Sequence, residues 1–180
     1  MLDAVGRLRR REAYRAVREA LRLMWHRSDF RIVHLSIQQT HLHVICEADS
    51  RDAFTRGMTA FKTSAARRLN RHLGRTGGRV WADRYHARPL TSVASVRNGV
   101  AYCINNWRHH REDRGASFPV DIYSSAIAFL WWKEGPAEGL RFPDGYRVLP
   151  VAEPGTWLLK VGLVVHARPI GWYETPGAAA

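Results

Sequence analysis

The stretch FRIVHLSIQQTHLHVICEAD, residues 30–49, constrains this chain more than any other, because its apolar residues alternate along two arms. Val33, Leu35 and Ile37 form one face of the first arm; Leu42, Val44 and Cys46 form one face of the second. The two faces coincide when Gln39 and Thr40 make a two-residue loop, pairing 37 with 42 and 35 with 44 and setting His34 opposite Ile45. Gln-Thr is not a favoured tight-turn pair, so the matching of faces carries this register. The opposite face then holds His34, Ser36, Gln38, His41 and His43, a polar patch rich in imidazole. Residues two apart on a strand point the same way, so His41 and His43 offer two ring nitrogens to one point.

Helices flank the hairpin. Residues 8–27 read as a first helix with Ala13, Val17, Ala20, Leu21 and Met24 on one stripe. Ser50 is placed to cap a second over 51–73, with Phe54, Met58, Phe61, Ala65, Leu69 and Leu73 buried and Arg56, Lys62, Arg67, Arg68 and Arg71 on the other face. Ser92 caps a third running to about 111, its core side being Val96, Val100, Cys103, Ile104 and Trp107. Tyr102 and Asn106 are four apart on this helix and share a face, which Asn106 marks as polar. A phenol and an amide beside two imidazoles could surround one metal-bound phosphate. His109 and His110 sit at the helix end, where capping or exposure is the ordinary reading.

Between the second and third helices, VWADRYHARPL alternates Trp81, Asp83, Tyr85, Ala87 and Pro89 with Ala82, Arg84, His86 and Arg88, which predicts a strand with a basic face. Residues 115–180 hold four of the seven tryptophans and most of the prolines; they read as an aromatic, loop-rich extension packed on a main domain of residues 1–114, with TPGAAA at the end expected to fray. Its aromatic residues read first as packing and second as a base-stacking platform.

The charge is lopsided. Residues 1–114 carry 23 Lys+Arg against 10 Asp+Glu, and residues 115–180 carry 5 against 6, so the +12 excess belongs to the part holding the histidines and Tyr102. Such a domain attracts polyanions, nucleic acid first and an anionic membrane surface second. Arginine makes up 25 of the 28 basic residues, which fits bidentate phosphate recognition and equally a GC-rich genome. No apolar run reaches the length of a membrane span, and the basic amphipathic N-terminus lacks the apolar core of a signal peptide. Cys46 and Cys103 have no metal-site spacing, and a reducing cytoplasm is expected.

Taken in order, RIVHLSIQQTHLHVICEADS, FKTSAARRLNRHLGRTGGRVWADRYHARPL and VRNGVAYCINNW resemble the REP-associated tyrosine transposases, relatives of the single-tyrosine insertion-sequence transposases of the HUH nuclease class. The resemblance covers roughly residues 8–112, and WLLKVG at 157–162 looks like a tail often found in that group. It implies an α+β, ferredoxin-like antiparallel sheet with packed helices, and assigns His41, His43 and Asn106 as ligands of a divalent metal, Mg²⁺ or Mn²⁺, with Tyr102 as nucleophile. It implies a single-stranded or hairpin DNA partner, for a monomer or homodimer. His34 is a candidate outer partner of the ligands, and Arg67, Arg71, Arg84, His86 and Arg88 are candidate DNA contacts.

One departure stands out. In the family a strand precedes the first helix and lies beside the His-x-His strand, whereas here the helix begins almost at once, which suggests a start placed too late or a shortened copy with an unfilled sheet edge. The reaction implied is transesterification, in which the tyrosine oxygen attacks a DNA phosphorus to leave a 5′-phosphotyrosine and a free 3′-hydroxyl. A free phenol is only about 0.1% ionised at pH 7, so the site must polarise the phosphate. Two other classes stay open: an inactive or domesticated DNA-binding protein, favoured by the missing strand, and a zinc hydrolase on His34, His41 and His43, disfavoured by the lack of a Glu base.

Overall fold

A computed structural model describes residues 6–82, 84–175 and 177. Its elements in order are α1 (Arg11–Met24), β1 (Phe30–Ile37), β2 (Leu42–Ala48), α2 (Arg51–His72), α3 (Val93–His109) and α4 (Leu158–His166), the last wound as a π-helix. Asp83 and most of TPGAAA, the segment expected to fray, lie outside the described residues. The fold is α+β, with one antiparallel hairpin sheet among the described residues, in keeping with an HUH-like layout.

Local chemistry sets the helix boundaries. Ser50 Oγ accepts from Ala53 N–H at 3.1 Å to open α2, and Ser92 and Ser95 exchange side-chain and backbone bonds in a capping box that opens α3. The apolar stripes are buried as their spacing requires. Ala13, Val17, Ala20, Leu21 and Met24 of α1 pack with Met58, Phe61, Ala65 and Leu69 of α2 on one side of the sheet, while Val96, Val100, Cys103 and Ile104 of α3 pack on the other. The sheet is therefore covered on both faces.

The hairpin pairs Ile37 with Leu42, Leu35 with Val44 and His34 with Ile45, and Gln38 N–H donates to His41 O at 2.9 Å across the Gln39–Thr40 turn. Beyond His34 the register slips, because Ile32 pairs with Cys46 and leaves Val33 as the extra residue of a bulge. This corrects the simple alternation. Phe30 and Ile32 join Leu35 and Ile37 in the α1–α2 core, and Val33 turns to the α3 side beside Ile45.

The C-terminal segment completes the outer edge of β1. Ile37 N–H donates to Tyr123 O (2.9 Å), Leu35 N–H to Ser125 Oγ (3.1 Å), and Ala152 N–H to Ile32 O (2.8 Å). Buried ion pairs fasten the same region, since Arg9 joins Asp121 at 2.8 Å and Glu112 at 3.0 Å, and Arg97 joins Glu174. The outer edge of β2 is different. By alternation, the N–H groups of Leu42 and Val44 point away from β1 like those of Ile37 and Leu35, and no described residue pairs with them through the backbone.

The described residues of VWADRYHARPL do not form the expected strand. Residues 79–82 and 84–91 run as a loop across α2, held by Trp81 Nε1–H on Lys62 O (3.0 Å) and by an edge-to-face contact of Tyr85 with Phe54 (5.3 Å), with Val80 buried. The alternation that suggested a strand instead spaces aromatic anchors along a helix. No described helix is long and apolar enough to cross a membrane.

Candidate active site

The hairpin turn end of β2 and the last two turns of α3 meet at one cluster. His41 Nε2 and His43 Nε2 lie 2.9 Å apart, and Asn106 Nδ2 lies 2.7 Å from His43 Nε2. The Tyr102 ring stands edge-on to His43, with centroids 5.0 Å apart. Tyr102, Asn106 and His110 follow at four-residue steps along one stripe of α3, so the helix delivers a phenol, an amide and a third imidazole to the same strand end. The ligating nitrogens of His41, His43 and His110 all lie within 4.8 Å of one another.

His110 is the residue that the sequence reading passed over as a helix-end histidine. The signal was present. It lies one further helical step beyond Asn106. His34, by contrast, turns away: its Nδ1 lies 3.3 Å from Ser125 Oγ and its ring packs edge-on against Phe129. The C-terminal segment has covered the inner part of the polar patch, with Gln38 Nε2–H on Ser36 Oγ and Ser36 Oγ–H on Asp121, and leaves the His41–His43 end open.

Asn106 lies not on a polar surface but in the interior, with 0% of its area exposed. Its Oδ1 is buried without a hydrogen-bond partner. A buried carbonyl oxygen left unpaired is unfavourable by about 1–3 kcal/mol. Rotating the amide about its last bond exchanges Oδ1 and Nδ2, which would set the oxygen beside the ring nitrogens. The imidazole protonation states suit the same purpose. Burial, then the neighbouring His41 and His110, pushes His43 down to about 4, and burial and His110 also lower His41. A neutral ring keeps one N–H and presents one lone pair at pH 7, where a charged ring presents none. Nitrogen donors converging with an orphaned amide oxygen fit a divalent cation of borderline softness.

The candidate DNA contacts stand elsewhere. Arg67 and Arg71 are exposed on α2, and Arg84, His86 and Arg88 are exposed along the loop that crosses it. Neither cysteine joins the nitrogen cluster, although Cys103 Sγ–H donates to the backbone of His43 (3.7 Å). Burial raises both thiols, Cys46 to about 12, which leaves them unreactive.

A family model described as transposase IS200 like matches residues 7–106, more than half of the chain, and ends on Asn106. No curated protein and no solved structure gives a significant match.

Proposed function

Since this chain belongs to the IS200-like transposase family, we propose that it cuts and rejoins single-stranded DNA through Tyr102, in the manner of the REP-associated tyrosine transposases. The observation that carries this reading is the convergence of Tyr102, His43, His41 and Asn106 at one strand end. Residues 1–114 are the catalytic part in this reading, and residues 115–180 an extension that closes the β1 edge.

The Tyr102 oxygen attacks a backbone phosphorus, a new phosphotyrosine bond forms to the 5′ side, and the bond to the 3′ oxygen breaks. The phenol proton leaves to solvent, and the departing 3′ oxygen takes up a proton. In the reverse direction a 3′-hydroxyl attacks the phosphotyrosine and restores the strand, so no nucleotide cofactor is consumed. His41, His43 and Asn106, with His110 beside them, would hold a divalent ion, Mn²⁺ in preference to Mg²⁺ for a nitrogen-rich set. That ion supplies Lewis-acid polarisation of the phosphate when bound. The low proton affinity of His43 keeps its nitrogen available, and the edge contact with His43 orients the Tyr102 ring. Arg67, Arg71, Arg84, His86 and Arg88 are assigned to the phosphate backbone of the flanking DNA.

The test is covalent capture. Purified protein is incubated with labelled single-stranded hairpin oligonucleotides and Mn²⁺ and run on a denaturing gel, beside Tyr102→Phe. A shifted band that disappears in Tyr102→Phe supports the nuclease. The outer edge of β2, which no described residue pairs through the backbone, favours one other reading, a DNA-binding protein without cleavage. Retention of the oligonucleotide with no covalent band would establish that reading and reject this one.

A further inference from the structure

Helix α3 ends on a Schellman turn, in which Glu112 N–H donates to Trp107 O (2.8 Å) and Arg111 N–H to Arg108 O (3.0 Å). This turn forces the residue after the cap into the left-handed region, and that residue is Arg111, with φ 56°, the one non-glycine with positive φ among the described residues. Glycine takes this position without strain, and Arg does not. Arg111 is exposed, so packing gives no reason to keep it there.

What its side chain does reach is a cavity of about 560 Å³ that Arg7, Gln39, His41, His110 and Glu112 also line. Neither the Arg7 nor the Arg111 side chain has a hydrogen-bond or ion-pair partner among the described residues. The carboxylate of Glu112 on the cavity wall is drawn back toward Arg9 Nε at 3.0 Å, and because Arg9 also pairs with Asp121 this trio keeps one negative charge, which the guanidinium groups of Arg7 and Arg111 outweigh. The backbone immediately after Arg7 is held in place, because Leu8 N–H bonds Gln39 O (2.8 Å) and Arg9 is locked to Asp121. Two uncommitted guanidinium groups and the edges of two imidazoles thus face one open space. Guanidinium forks match phosphate oxygens two by two.

The cavity shares His41 and His110 with the Tyr102 cluster, so it adjoins the place where a phosphate attacked by Tyr102 would sit. We propose that this cavity is a subsite for the DNA backbone phosphate adjoining the one cut, clamped by Arg7 and Arg111; this rests on the nuclease reading above. Backbone strain at Arg111 is retained because a glycine there would shorten the clamp.

The experiment measures binding of a fluorescent single-stranded hairpin oligonucleotide to the full chain over a range of salt, for wild type, Arg7→Ala, Arg111→Gly and Arg111→Lys. Because glycine suits the turn, Arg111→Gly melts at or above the wild-type temperature. It binds about tenfold more weakly, with a salt slope smaller by about 0.7, the loss expected for one phosphate contact on a single strand. Arg111→Lys recovers the slope but not the full affinity. An oligonucleotide with a neutral methylphosphonate next to the cleavage site weakens wild type more than it weakens Arg111→Gly, which has only the Arg7 half of the clamp left to lose. Wild-type affinity and slope in Arg111→Gly would overturn the subsite while leaving the nuclease intact. A wild-type protein that neither binds nor cuts the oligonucleotide would remove the nuclease reading and the subsite together.

Discussion

Asn106 Nδ2 lies 2.7 Å from His43 Nε2, across 63 positions of sequence, and the amide that makes this contact is sealed from solvent. Burial gives the amide few partners to choose from. One of its two ends meets the imidazole and the other meets nothing, so the pair is complete only when a further group satisfies the oxygen.

Replacing Asn106 with Ala should therefore weaken Mn²⁺ binding on the order of 10- to 100-fold. Asn106→Asp, of equal size and with a charged oxygen, should retain binding or tighten it. Titration of Mn²⁺ followed by electron paramagnetic resonance reads both. An unchanged affinity in Asn106→Ala would show that the amide only packs against His43.

His110 is exposed and, among the described residues, makes ring contacts with His41 and His109 alone, so its removal should leave the melting temperature within about 1–2 °C. Its nitrogen lies with those of His41 and His43. Losing an imidazole penalises nitrogen-preferring ions most, so His110→Ala should bind Co²⁺ and Zn²⁺ about tenfold more weakly and Mg²⁺ almost as before. The visible absorption of bound Co²⁺ reports the ligand count directly. Identical Co²⁺ spectra and affinities for variant and wild type would exclude His110 from the ligand set.

Much of this is legible in the sequence. The stripe on α3 and the hairpin register follow from periods of 3.6 and 2, and the buried partners of both could be named residue by residue. Val33 escaped because Ile32 is apolar too, so alternation alone cannot say which of two neighbouring apolar residues is the bulge. The closure of the β1 edge by Tyr123, Ser125 and Ala152 escaped because a backbone bond to an irregular segment leaves no periodic trace. The loop over α2 misled for the opposite reason: Trp81 and Tyr85 fall on every second position, as a strand would have them, yet their partners are Lys62 and Phe54 of the helix.

Gly57 sets how closely α2 approaches the sheet. A Cβ there would fall within the Phe30 ring, against Cγ, Cδ1 and Cδ2, and both residues are buried. Alanine in a helix gains up to about 1 kcal/mol over glycine, while forcing apart a packed core costs about 1–3 kcal/mol. Overlap with an enclosed aromatic ring puts this site at the upper end, so Gly57→Ala should lose about 2 kcal/mol and about 4–8 °C of melting temperature. The pair Gly57→Ala with Phe30→Leu should recover part of the loss. A more stable Gly57→Ala would mean that α2 can move away from Phe30 freely.

Acid should destabilise this protein through its buried imidazoles. Burial alone pushes His34 down to about 4, from 6.5 when the ring is free, and His43 is pushed as low. Between those values the unfolded chain binds a proton that the folded chain refuses, so stability is full above about pH 6.5 and falls as pH drops toward about 4. Each ring contributes up to about 1.4 kcal/mol per pH unit within that window. His34 is the cleaner probe, since it sits against Ser125 and Phe129, apart from the Tyr102 cluster. His34→Gln removes one titrating group, and its urea midpoint should fall less steeply with acid than that of wild type, whatever its stability at neutral pH. Parallel midpoint curves for the two proteins between about pH 7 and 4.5 would show that His34 keeps an ordinary proton affinity in the folded state, and that water reaches it behind the C-terminal segment.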